Sequence, residues 1–156
     1  CEVIFISDYS EYLKQKEIVE AKVKDGATAI FLELAQGEYE IFDCKANVKE
    51  CGMLPLHFVS RNTGHLIANR FQPQDFRLWY DEKEDCITPI INCTFTATDF
   101  APILTSGNIR ENGTWGKVMV VAEKQAGIGK VYICQVKLAG RTNTNPIADS
   151  FVRKII

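Results

Sequence analysis

The chain has 156 residues, enough for one domain with a core of its own and no need of disulfide staples. Its hydrophobic fraction of 46% and charged fraction of 24% are ordinary for a globular protein. A net charge of −2 gives no electrostatic case for nucleic acid or anionic lipid as a partner, and no run approaches the roughly 20 apolar residues that a membrane span needs.

Residues 3–7, VIFIS, read as a short buried strand. Asp8 and Ser10 offer helix N-caps, with Glu11 at the capping-box position behind Asp8. Residues 11–24 then carry Tyr12, Val19 and Val23 on one stripe, and Gly26 stands where a helix C-terminus is capped. Residues 27–34, ATAIFLEL, form a second buried strand. Strand, helix and strand in this order make a βαβ unit, so the two strands are expected to be parallel with a right-handed crossover. Beyond Leu34 the pattern becomes antiparallel in character, with short strands at 38–42, 46–51 and 54–60. Pro73 opens a short helix over 73–80. Residues 87–96 and 102–105 are further strands, and 106–116, SGNIRENGTWG, reads as a polar loop.

Residues 117–138 hold two apolar runs, 118–122 and 131–136, around a turn at 123–130 that contains Gly127 and Gly129. They form a hairpin whose second strand is buried on both faces. Asn145-Pro146 starts a last helix, with Ala148, Phe151, Val152 and Ile155 on one face. The expectation is a single α/β domain over 1–156, opening abruptly at a strand without a signal peptide and so excised from a larger protein.

The residues that could carry chemistry are few. No G-x-S-x-G elbow presents a nucleophile, and no cysteine sits at a comparable elbow. Gly127-Ile128-Gly129-Lys130 resembles part of a phosphate loop, but Val131 replaces the Ser or Thr and a strand follows, so a hairpin turn is expected. None of the six cysteines makes a C-x-x-C pair; Cys134 reads as a buried inert thiol, and Cys44 and Cys51 could meet across a hairpin. Asn92 and Asn112 match glycosylation sequons, of which Asn112 is the credible acceptor. No acidic cluster with metal spacing accompanies the histidines, and no metal or cofactor is expected. The least periodic stretch, 57–80, gathers His57, Arg61, Asn62, His65, Trp79 and Tyr80. Such side chains suit a binding or interface surface, with His57 and His65 alternatively in a strand and a loop, and Trp79 alternatively docked on the core.

Residues 64–108, GHLIANRFQPQDFRLWYDEKEDCITPIINCTFTATDFAPILTSGN, and 122–151, AEKQAGIGKVYICQVKLAGRTNTNPIADSF, resemble the accessory α/β domain that follows the catalytic barrel in some bacterial family 2 glycoside hydrolases, the β-galactosidase and β-glucuronidase group. Residues 8–34 are similar to the flavodoxin-type, class I amidotransferase-like fold of that domain. The resemblance implies a three-layer α/β fold, with a mostly parallel central sheet, flanking helices and an antiparallel hairpin. It also implies a non-catalytic role, because the family's catalytic carboxylates lie in the barrel. Partners would be the other domains of the parent enzyme, with carbohydrate a second candidate. Localisation would be extracytoplasmic for a polysaccharide-degrading parent and cytoplasmic otherwise. The alternative is a stand-alone sugar or small-molecule binding module.

Overall fold

The structure is a computed structural model that describes residues 2–52, 58–109 and 112–156. In chain order the elements are β1 (Val3–Ile6), α1 (Tyr9–Lys14), α2 (Lys16–Lys24), β2 (Thr28–Leu32), β3 (Gly37–Ile41), β4 (Cys44–Glu50), two 3-10 turns (Ala68–Arg70 and Pro73–Phe76), β5 (Tyr80–Asp81), β6 (Cys86–Ile87), β7 (Cys93–Ala97), β8 (Ala101–Ile109), β9 (Trp115–Ala126), β10 (Gly129–Cys134) and α3 (Pro146–Ile155). The main sheet has eight strands in the order β1-β2-β10-β9-β7-β4-β3, with β8 paired to β9. β5 and β6 form a separate small hairpin.

The opening βαβ unit is present as expected. β1 and β2 are parallel, Val3 facing Thr28 and Ile6 facing Phe31. Asp8 caps α1 by accepting from the backbone N–H groups of Ser10 and Glu11. The helix breaks at Gln15, whose N–H turns back to Tyr12 O, so the expected 11–24 helix is two short ones. The Tyr12 hydroxyl donates to Glu20 Oε1 at 3.0 Å and holds the two together. α2 ends in a Schellman motif: Ala27 N–H reaches Lys22 O, Gly26 N–H reaches Val23 O, and Gly26 takes φ +114°.

The fold class departs from the expected three-layer α/β arrangement. The sheet is mixed and mostly antiparallel, curled into a half-barrel, and the three helices span only 6, 9 and 10 residues. Among the described residues only β1, β2 and β10 run parallel as neighbours. The cause lies in the connections. A parallel neighbour in a doubly wound sheet needs a crossover of a dozen or more residues, usually a helix. Among the described residues between β2 and α3 the only helical pieces are the two 3-10 turns, and the strands from β3 to β9 pair antiparallel. Register shifts between Pro102 and Thr105 of β8, where it pairs with β9, mark bulges of the kind that bend a sheet.

Two buried clusters lie on opposite faces of the central strands. Ile30, Tyr132 and Cys134 face one, with Trp79, Phe71, Phe76 and Phe151. Ala29, Phe31, Val131 and Ile133 face the other, with Tyr12, Val23, Phe42 and Phe95. β10 is therefore buried on both faces, as its apolar run implies. Cys134 has no exposed surface, and burial pushes its thiol up to about 12.

Two further expectations are corrected, and the open question of Cys44 and Cys51 is answered. Residues 73–80 form the 3-10 turn Pro73–Phe76 and an extended segment, not one helix. The polar stretch 106–116 is largely strand, divided between β8 and β9. Cys44 and Cys51, which could have met across a hairpin, are both buried and form no disulfide with each other. The expected strand at 54–60 lies outside the described residues up to position 57; Ser60 makes an isolated antiparallel bridge with Thr105.

The turn between β9 and β10 is tighter than expected. Ala126 pairs with Gly129, leaving Gly127 and Ile128 as a two-residue loop with Gly127 at φ +65°. The loop lies against the end of α2, where Ile128 N–H donates to Lys24 O at 3.0 Å. A Cβ on Gly129 would sit 2.1 Å from Ala27 O and 2.2 Å from Val23 O. Gly129→Ala should therefore destabilise the domain by about 3 kcal/mol, read as a lower urea midpoint with the slope unchanged.

Candidate functional site

Segment 58–63 is stitched to β8. Ser60 and Thr105 exchange both backbone hydrogen bonds, at 2.7 and 2.9 Å. The Ser106 hydroxyl donates to Phe58 O, and the Thr63 hydroxyl to Ile103 O. Across from it stands the 3-10 turn Pro73–Phe76, closed by Gln72 N–H on the Asp75 carboxylate at 2.8 Å. Phe76 anchors that turn in the core, edge-on to Phe151. Between the two segments opens a cleft of about 630 Å³ lined by Phe58, Arg61, Asn62, Pro73, Phe76 and Arg77.

Arg61 is half-buried, and its Nε–H is fully buried without an acceptor among the described residues. Arg77 and Asn62 are exposed at the same cleft. Phe58 is 46% exposed and also lines an adjoining groove with Thr105, Gly107 and Lys117. Two guanidiniums, a carboxamide and an exposed aromatic ring thus share one concave surface. A buried N–H that lacks a partner costs free energy until an acceptor arrives. The arrangement is chemically suited to a ligand that carries acceptor oxygens and an apolar face.

The other expected site residues lie elsewhere. Trp79 is 1% exposed, and its indole N–H donates to Lys137 O at 3.0 Å. It is a core residue, which corrects the expectation that it forms a binding or interface surface. Its hydrogen bond is what lets the ring be buried whole. Tyr80 is on the surface, its hydroxyl held by the Asp85 carboxylate, and that bond raises its pKa. His57 lies outside the described residues.

His65 is not free to act as a base. Its Nε2 faces Glu123 Oε1 at 3.1 Å, and its Nδ1 accepts from Ile67 N–H at 3.2 Å. Glu123 in turn receives Lys130 Nζ at 3.1 Å on its other oxygen, and the Tyr132 hydroxyl as well. Burial pushes the Glu123 carboxyl up, but the hydrogen bonds from His65, Tyr132 and Lys130 outweigh it and hold the group below its ordinary value of 4.5. Burial, reinforced by Glu123, raises the Tyr132 pKa. This cluster ties the loop before the first 3-10 turn to β9 and β10. Sequence reasoning did not find it, because Glu123, Lys130 and Tyr132 belong to a hairpin read as structural, and only the register brings them to His65.

Among the described residues no group of three or more His, Cys, Asp or Glu side chains is placed to hold a metal ion. No helix among them is long and apolar enough to cross a membrane.

Two outcomes follow from these contacts. Trp79→Ala should cost about 3–5 kcal/mol in a denaturant melt of the chain. Glu123, ionised in the fold below its unfolded value, contributes stability that is present above pH 4.5 and lost as pH falls through the lower folded value. Glu123→Gln should remove that part of the acid dependence, so the stabilities of the two proteins should converge at low pH.

No protein family, no curated protein and no solved structure was found to match this chain.

Proposed function

We propose that this chain is a non-catalytic binding domain of a carbohydrate-active enzyme, with the cleft between residues 58–62 and 73–77 as its ligand site. The observation that carries the reading is the buried, acceptorless Nε–H of Arg61 in a cleft shared with Asn62 and Arg77. Guanidinium groups in a forked geometry suit carboxylate and hydroxyl oxygens. The exposed Phe58 ring offers a flat apolar face beside them. A saccharide has both kinds of surface, and the two arginines favour one bearing a carboxylate.

The non-catalytic part rests on how the reactive groups are used. Cys134 is sealed in the core, both His65 nitrogens are engaged, and the Glu123 carboxylate is occupied by hydrogen bonds from its neighbours. The carbohydrate context is supported by the resemblance of residues 64–108 and 122–151 to the accessory domain of family 2 glycoside hydrolases. The fold that this resemblance implied is not the fold found, so the weight falls on the cleft. A stand-alone sugar-binding module would use the same site.

Amide chemical shifts of the labelled chain, titrated with glucuronate and with glucose, test the proposal. Shifts should concentrate at Arg61, Asn62 and Arg77 and be larger in affinity for the acid. Arg61→Ala and Arg77→Ala should each weaken binding about tenfold, the loss of one charge-assisted hydrogen bond. Absence of binding by either sugar, or binding untouched by both substitutions, would overturn the site. Hydrolysis of a nitrophenyl glycoside that is lost on mutating this chain would overturn its non-catalytic role.

A further inference from the structure

Lys124 and Cys44 are 80 positions apart in sequence, yet Lys124 Nζ lies 2.6 Å from Cys44 Sγ. Ordinary N–H···O hydrogen bonds already span about 2.7–3.2 Å, and sulfur is larger than oxygen. The pair is therefore closer than a hydrogen bond to sulfur requires. A single oxygen joined to nitrogen and sulfur by two single bonds, at a near-tetrahedral angle, would hold the two atoms about this far apart.

The fold fixes both partners. Cys44 closes the β3–β4 hairpin opposite Ile41, across the two-residue turn Phe42-Asp43, whose residues both take positive φ, +47° and +60°. It is 2% exposed in the cluster under α1 and α2. Lys124 alternates with Ala122 along β9 and so shares the face that Ala122 presents to that cluster. Its Nζ also donates to Phe42 O at 3.3 Å, which aims the amine at the hairpin tip. The Cys44 thiol also points to the Asp99 carboxylate, 3.9 Å from the sulfur. Lys124 is only half-buried, which leaves a small oxidant a route along its side chain.

We propose that Cys44 and Lys124 form a covalent cross-link in which one oxygen atom bridges Sγ and Nζ. Dioxygen is the oxidant. The thiol adds O₂ to become a peroxysulfenic acid, S–O–OH. The neutral Lys124 amine, its ammonium proton given up to solvent, attacks the sulfur-bound oxygen. The N–O bond forms, the O–O bond breaks, and the outer oxygen leaves as water with one amine proton. One thiol, one amine and one O₂ thus give S–O–NH and one water. Sulfur and nitrogen each lose two electrons, and the two oxygens gain the four. The product fastens the hairpin at the end of the sheet to a central strand and closes a loop of 80 residues. Thiol reductants reverse it, returning free Cys44 and Lys124.

The test uses the whole chain, purified under nitrogen with reductant and then held in air-saturated buffer. Peptide mapping by mass spectrometry should find the Cys44 and Lys124 peptides joined. Their mass should exceed the sum of the two by about 14 Da, one oxygen gained and two hydrogens lost. Dithiothreitol should release them. The aerated protein should melt roughly 5–10 °C above the reduced one, as expected for closing a long loop. Cys44→Ser and Lys124→Arg, which keeps the charge without the primary amine, should give no joined peptide and no air-dependent melting shift. If either variant does not fold, the wild-type peptide map decides alone. Recovery of Cys44 as a free thiol, as a disulfide, or as a sulfinic acid with Lys124 unmodified would overturn the proposal.

Discussion

The structure depends on the parallel pair β2 and β10, two adjacent strands that are apolar on both faces. Fully burying one aliphatic or aromatic side chain is worth about 1.5–3 kcal/mol, so neither face can be left to water. The chain has little helix with which to cover them. α1 and α2 span 6 and 9 residues and cover one side through Tyr12, Val19 and Val23. The rest of that face is closed by the sheet itself, which curls until Ile41, Phe42, Val48 and Phe95 join the same cluster. The opposite face is closed by α3 and by the aromatic residues Phe71, Phe76 and Trp79. The half-barrel is thus what a doubly buried strand pair requires when helices are scarce.

Close approach sets the position of β10. Its turn with β9 rests on the C-terminal end of α2, and the space there excludes even a methyl group at Gly129. Ile128 and Lys130 donate to Lys24 O and Ala27 O, at 3.0 and 3.3 Å, so carbonyls at the helix exit gain partners. The two glycines that resemble a phosphate loop in sequence serve this contact.

The parts of the fold legible in the sequence were those governed by burial and capping. β1, β2 and β10 stand out as apolar runs, Asp8 and Asn145 cap helices as their positions suggest, and Gly26 ends α2. The overall architecture was not legible, because the family resemblance implied parallel crossovers that the described residues between Leu34 and β10 do not form. The second half of β8 and the start of β9 were hidden by their composition. Ser106 and Asn108 are 3% and 5% exposed, yet they sit in a stretch that reads as a polar loop. Each is satisfied inside: Ser106 on Phe58 O, and Asn108 on Glu50 O and the Thr94 hydroxyl. A polar residue with an internal partner can occupy a buried strand at little cost, and periodicity alone has no access to that partner.

The same consideration separates the candidate site from its surroundings. Residues 57–80 are a non-periodic cluster of Arg, Asn, His and aromatic side chains, and their composition does not distinguish structural members from free ones. Internal hydrogen bonding does. Trp79 spends its indole N–H on Lys137 O, and His65 spends both nitrogens on Glu123 and Ile67. Three buried side-chain atoms among the described residues lack a partner: Arg61 Nε, Gln135 Oε1 and Arg141 Nε. Gln135 is held through Leu34 O, and Arg141 through Asp81 and Thr88, so both are fixed by their remaining donors. Arg61 differs in lining an open cleft beside a second arginine. A guanidinium in that position is costly to the fold alone and would be relieved by an acceptor entering the cleft, which sets Arg61 apart from the more conspicuous but fully paired tryptophan.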